Sequence, residues 1–162
     1  MERTISLEPS FKIRPARPAD AERIFSILSE VACHVPIDLS TPKHVGALKA
    51  QVDECCRGGL SFVAVDEDNV VVAFQLAKRA RWFDDAYIHL TYAGVTAAAS
   101  GKKVFRRLID AEKGHGLPLV AVVKPGNKSE MVARLTRYGF RPFSNAPVNF
   151  AYRWDPERRG TA

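Results

Sequence analysis

Cysteine is scarce in this 162-residue chain, which has only Cys33, Cys55 and Cys56. Three thiols cannot all pair within one chain, and two adjacent ones are badly placed to bridge each other. This argues against a disulfide-stapled scaffold and for a reducing, cytoplasmic compartment. Long apolar runs are also missing; none approaches the ~18 residues that a bilayer-spanning helix needs, so no membrane partner is expected. The opening Met1-Glu2-Arg3-Thr4 carries an acid early and no apolar stretch, unlike a secretory leader. There is no repeat and no low-complexity linker. His34, His44 and His115 are scattered without metal-ligand spacing, so no metal is expected. Gly101-Lys102-Lys103 lacks the upstream glycine and the hydroxyl of a nucleotide-binding phosphate loop.

What is present is an ordinary globular composition, 46% hydrophobic and 26% charged, too apolar for disorder. The length suits one domain with a sizeable core. We divide it into an N-terminal extension (1–10), a domain (11–154) and a polar tail (155–162). Lysine and arginine exceed the acids by 24 to 18, for a net charge of +6. That favours an anionic partner (nucleotide, nucleic acid or acidic substrate) or else is only a solvated face. No helix-turn-helix, RRM-like or zinc pattern accompanies it, which disfavours nucleic acid.

Phe11 to Arg14 alternates like a strand, and Pro15 and Pro18 end it. Ile24, Ile27, Leu28 and Val31 predict a helix over about 19–32. Thr41-Pro42 starts a second helix, with Val45, Leu48, Val52 and Cys55 as its apolar face and Gly58-Gly59 as its stop. Ser61–Val65 and Val70–Leu76, joined by the turn at 66–69, predict an antiparallel hairpin. Ala86–Val95 is a further strand. After the loop 96–100, Gly101 opens a helix carrying Val104, Phe105, Leu108 and Ile109, which Gly114 and Gly116 end. Leu119–Val123 is apolar throughout and predicts a strand buried on both faces. Asn127 and Glu130 suggest a capping box for a helix to Tyr138, and Val148–Trp154 is the last strand. The order β-α-α-β-β-β-α-β-α-β-β predicts an α/β domain with a mixed, mostly antiparallel sheet flanked by helices.

The informative segment is Tyr87 to Ile109, a strand that runs through a short loop into a helix bearing Lys102, Lys103, Arg106 and Arg107. Unpaired N–H groups and partial positive charge at a helix start suit a phosphate or pyrophosphate. Val95-Thr96-Ala97-Ala98-Ala99-Ser100-Gly101-Lys102-Lys103-Val104-Phe105-Arg106-Arg107-Leu108-Ile109 resembles the cofactor segment of the GNAT superfamily, Val-x-Pro-x-x-Arg-Gly-x-Gly-x-Gly/Ala-x-x-Leu. Asn127 followed by Tyr138-Gly139-Phe140 is similar to that family's late Asn…Gly-Phe signature, and Arg14, Pro18 and Asp20 to its opening. The element order agrees over 11–154.

The resemblance implies direct transfer of an acetyl group from acetyl-CoA to a primary amine without a metal. It implies that the Val95 and Ala97 backbone pairs with the pantetheine arm and that Gly101, Lys102, Lys103, Val104 and Phe105 hold the pyrophosphate. Asn127 joins the cofactor site, and a backbone N–H near Val95 stabilises the oxyanion. The amine acceptor is not specified, and dimers are frequent among such proteins, so a homodimer stays open. This sequence departs from the pattern at Ser100, where arginine or glutamine is usual, and at Lys103, where glycine is usual. Leu135 occupies the place of the usual tyrosine acid, leaving Tyr138, one turn on, as the substitute acid or as a packed aromatic. His89 is the candidate general base, since imidazole titrates near neutrality; the alternative is a hydrogen-bonded histidine in a half-buried strand. The rival readings are a fold that has lost catalysis and serves as a binding or regulatory module, and a basic nucleic-acid-binding protein.

Overall fold

A computed structural model describes residues 10–32, 37–123, 130–143 and 150–157. Cys33, His34, Asn127 and the first residues of the strand expected from Val148 lie outside them. The order is β1 (Lys12–Pro15), α1 (Ala21–Val31), α2 (Pro42–Arg57), β2 (Phe62–Val65), β3 (Val71–Trp82), β4 (Asp85–Val95), α3 (Val104–Lys113), β5 (Leu119–Val123), α4 (Met131–Arg137), β6 (Arg141–Phe143) and β7 (Phe150–Trp154). A 3-10 turn at Pro18–Asp20 leads into α1. The strands form one sheet in the order β1-β2-β3-β4-β5-β7-β6. Every pairing is antiparallel except β4 with β5.

Local chemistry sets several of these elements. The Arg14 guanidinium holds the Asp20 carboxylate through two hydrogen bonds, at 2.8 and 2.9 Å, which ties β1 to the start of α1. That pairing keeps the buried Asp20 carboxyl below its ordinary range. Thr41 caps α2 by accepting from the His44 N–H at 3.2 Å, with Pro42 in the first turn. Asp66 Oδ1 accepts from the N–H groups of Asp68 and Val70, both at 2.9 Å, and closes the β2–β3 turn.

Helices cover both faces of the sheet. On one face α1 packs against β3 and β4 and α2 against β3, around Ile24, Ile27, Leu28, Val52, Phe74 and Leu76. On the other, Phe105 and Ile109 of α3 and Leu135 of α4 pack on Ile88, Leu90, Leu119 and Ala121. Cys55 and Cys56 are free, buried thiols of the α2 core. Burial pushes Cys56 up to about 11, so it is an inert packing group.

The structure corrects four expectations. β3 does not stop at Leu76 but runs to Trp82, and β4 begins at Asp85. The added length is an arm carrying Lys78, Arg79 and Arg81, held by backbone pairing with β4 rather than by burial. α3 does not open at Gly101 but at Val104, because Gly101 (φ 77°) and Lys103 (φ 59°) are left-handed and cannot continue a right-handed helix. α4 starts at Met131 with Glu130, itself left-handed at φ 54°, as its cap, so Glu130 does not serve as the third residue of a capping box. β5 is central but, among the described residues, covered on one face only. Leu119, Ala121 and Val123 are buried against α3 and α4, whereas Val120 is half-buried and Val122 is 39% exposed. α1 and α2 pack over β3 and β4 and leave that side of β5 open.

Candidate functional site

β4 and β5 pair through only three residues, ending at Leu90↔Ala121. Beyond that point β4 continues to Val95 and β5 to Val123 without pairing each other. The divergence coincides with a bulge in β4. Leu90 pairs with Ala77 and Tyr92 with Leu76, so Thr91 has no partner in the ladder. The bulge reverses the alternation of side chains. Ile88 and Leu90 face α3 and α4 before it, Ala93 and Val95 after it, while Tyr92 turns to the α1–α2 side. The buried Gln75 amide steadies the distortion by donating to the Leu76 and Tyr92 carbonyls at 3.0 and 3.1 Å. Where the strands part there is a cavity of about 90 Å³, lined mostly by apolar groups, among them Leu90, Ala93, Phe105, Ile109, Met131 and Leu135. Gln75, Thr91 and Tyr92 supply its polar lining.

A second cavity, of about 370 Å³, lies at the first turn of α3 and shares Phe105 with the first as a wall. Val95, Gly101, Lys103 and Val104 line it from the strand end and loop, Tyr138 from the end of α4. Its cations are Lys103 and Arg106 on one side and Arg134 and Arg137 on the other. Among the described residues no carboxylate stands within ion-pair reach of any of these four. Uncompensated positive charge converging with a helix N-terminus suits a polyanion. The conformation of Lys103 also explains the family preference at that position. Its φ of 59° is one that glycine adopts without strain and lysine does not.

The sequence-predicted residues therefore separate. Val95, Gly101, Lys103, Val104, Phe105 and Tyr138 meet around the basic cavity. Ala97 and Lys102 are exposed on the same loop but do not line it. Tyr138 packs on Phe105, ring centroids 5.8 Å apart, while Leu135, buried at 1% exposure, lines the apolar cavity one turn earlier. His89 lies on neither wall. It sits across from Lys78, whose Nζ is bonded to Glu54 on α2 at 3.1 Å. Burial, with Lys78 adding to it, holds the His89 imidazole below its ordinary value and favours the neutral ring. Sequence reasoning missed Gln75, Thr91, Tyr92, Arg134 and Arg137. Only the i, i+3 spacing of the two arginines, on a helix otherwise read as packing, could have pointed to a shared face.

Among the described residues no group of three or more His, Cys, Asp or Glu is arranged to hold a metal, and no helix is long and apolar enough to cross a membrane. No protein-family model matches the chain, and no curated protein matches it in sequence. Solved structures do match in fold. A GNAT-family acetyltransferase from Listeria monocytogenes superposes with a TM-score of 0.68 at 16% identity, over 89% of this chain and 94% of that one. The PaiA N-acetyltransferase of Thermoplasma acidophilum, solved in complex with coenzyme A, gives 0.66 at 15% identity, over 90% and 99%. A Corynebacterium glutamicum protein described as histone acetyltransferase HPA2 and related acetyltransferase gives 0.69 at 19% identity, over 96% and 100%. The chain thus has the GNAT fold, as its element order and cofactor segment led us to expect.

Proposed function

We propose that the chain is an N-acetyltransferase that moves an acetyl group from acetyl-CoA to a primary amine. One observation carries the reading: the apolar opening between β4 and β5 adjoins a cavity of four cations that are unpaired among the described residues, with Phe105 common to both. An apolar arm ending in phosphates fits that pair of environments, and the coenzyme A complex of the Thermoplasma neighbour agrees with it. Acetyl-CoA supplies the acyl group as a thioester. The backbone of Val95 and Ala97 pairs with its arm, and the loop from Gly101 to Phe105 takes the pyrophosphate, with Lys103 at the cavity wall and Lys102 acting on it through solvent. Asn127 completes that site.

In the transfer a C–N bond forms at the acyl carbon and the C–S bond breaks. His89, set back from both cavities, accepts the amine proton through water, because its depressed pKa keeps the ring neutral and ready to accept. A backbone N–H of β4, near the bulge at Thr91 or near Val95, steadies the oxyanion. The departing sulfur takes its proton from a phenol. Tyr138 is one candidate, at the basic cavity, and Tyr92, which lines the apolar one, is the other. Leu135 in the apolar wall favours a second reading, a CoA-binding module without catalysis.

The test is a mass-spectrometric screen of amines with acetyl-CoA, followed by His89→Ala on whichever amine is acetylated. We expect kcat/KM to fall on the order of 100-fold and the acidic limb of the pH–rate profile, below pH ~6.5, to vanish. CoA affinity should stay within about twofold. An unchanged acidic limb would remove His89 from the mechanism. CoA binding without transfer to any amine would select the binding module, and no CoA binding would end the acyl-CoA reading.

A further inference from the structure

The charge around the basic cavity exceeds what a pyrophosphate requires. A pyrophosphate diester carries about two negative charges, and the loop N–H groups at the start of α3, with Lys103 and Arg106, already answer it. Arg134 and Arg137 are left over. They stand at i and i+3 on α4, a different helix, and both line the same cavity. Arg134 is half-buried, yet its guanidinium has no hydrogen bond or ion pair among the described residues. A partly desolvated cation is ordinarily found paired. Four cations with no carboxylate in reach among the described residues also repel one another, a charge that an anion of about four charges would offset. Coenzyme A has that charge only when its 3′-phosphate is present, because a phosphate monoester adds about −1.5 to −2 near neutrality.

We propose that Arg134 and Arg137 read the 3′-phosphate of coenzyme A, so that the chain selects 3′-phosphorylated CoA over dephospho-CoA. The inference rests on the acyl-CoA reading above and adds to it a specificity device on α4. Guanidinium suits the task because its planar fork bonds phosphate oxygens in pairs, which an ammonium cannot do.

Calorimetric titration with CoA and with dephospho-CoA tests this, on the full chain and on two double variants, Arg134→Gln/Arg137→Gln and Arg134→Lys/Arg137→Lys. The wild type should prefer CoA by roughly tenfold or more, as two charge-assisted contacts imply. The glutamine variant should lose affinity for both ligands, which share the cavity, but lose far more for CoA, until the preference is within about threefold. The lysine variant should fall between, because it keeps charge and loses the fork. Thermal melts check that both variants remain folded. Equal binding of the two ligands by the wild type overturns this inference and leaves the acyl-CoA reading standing. A glutamine variant that keeps the full preference also overturns it. If neither ligand binds the wild type, the acyl-CoA reading itself fails, and this inference with it.

Discussion

At its first turn α3 presents Lys103 and Arg106 to a cavity where, among the described residues, no carboxylate opposes them. At its last turn the same helix buries Glu112 completely, at 0% exposure, with neither carboxylate oxygen hydrogen-bonded. His115 Nε2 lies 3.5 Å from Glu112 Oε2, within ion-pair distance, but the two are not aligned to bond and both count as unpartnered. Burial pushes the Glu112 carboxyl up to about 9, so it is neutral at physiological pH. The basic residue of that turn is used for packing instead. Lys113 donates to the Tyr138 carbonyl at 2.6 Å and lies 5.1 Å from the centre of the Trp154 ring. One end keeps its charge and leaves it unanswered, whereas the other discharges its acid and seals it. Uncompensated charge that remains solvated can serve a ligand; buried charge is removed by protonation because desolvation costs more than the proton does.

The largest effect that would break this contrast is Glu112→Gln. The folded chain holds a proton on Glu112 that the unfolded chain releases above pH ~4.5. Folded protein therefore binds more protons than unfolded between about 4.5 and about 9, and stability falls as pH rises through that window. The slope from this group is at most about 1.4 kcal/mol per pH unit, so the cost at pH 7 is of the order of 3 kcal/mol. Glutamine keeps the shape and cannot ionise. We expect the variant to match the wild type near pH 4.5 and to become increasingly more stable than it towards pH 8. Urea titrations of both proteins at three pH values measure the difference directly. A constant gap across pH would mean that Glu112 ionises in the folded state, with His115 paired to it as a cation, and the two ends of α3 would then be alike.

The contrast was unevenly legible in the sequence. Elements set by neighbours in the chain were readable, such as α2 from Thr41-Pro42 and its apolar stripe, or the β2–β3 turn from Asp66. The element order and the mixed sheet followed from such signals. Glu112 carried a signal too, since it continues the stripe of Phe105, Leu108 and Ile109 at i+3 and i+4. What could not be read depends on distant backbone. The arm of β3 and β4 is polar and held by ladder bonds, so it shows no burial pattern. The basic cavity forms only because α4 is brought beside the start of α3, and arginines on a short helix otherwise look solvated. No local feature announces that Lys103 is left-handed; only the family's glycine at that position hinted at it.

The next effect sharpens the ligand-facing end. A left-handed conformation costs a non-glycine residue about 1 kcal/mol, and Lys103 adopts it at φ 59°. Lys103→Gly should therefore stabilise the fold by up to ~1 kcal/mol, reduced by the greater backbone entropy that glycine loses on folding. It should also change how CoA binds. The lysine contributes charge, which salt screens over about 8 Å at physiological ionic strength. Glycine contributes close backbone approach, which salt affects less. Wild-type affinity should thus drop steeply with salt, and the variant should be weaker at low salt but flatter, so that the two curves converge or cross. Parallel salt curves would show that Lys103 adds no charge to the site.

The smallest effect comes from Lys102→Ala. Lys102 is exposed beside Lys103 and does not line the cavity, so its ammonium acts on a bound anion only through solvent. Across water such an interaction is a fraction of a kcal/mol, and added salt removes it. We expect CoA affinity to fall about twofold at low ionic strength and to equal the wild type near 0.5 M salt, roughly where the screening length has shrunk below 5 Å. Titrations at the two salt concentrations decide the matter. A loss that persists at high salt would place the Lys102 side chain in direct contact with a phosphate. The ligand-facing charge would then extend over the outer surface of the loop, and the contrast between the two ends of α3 would widen by one more cation.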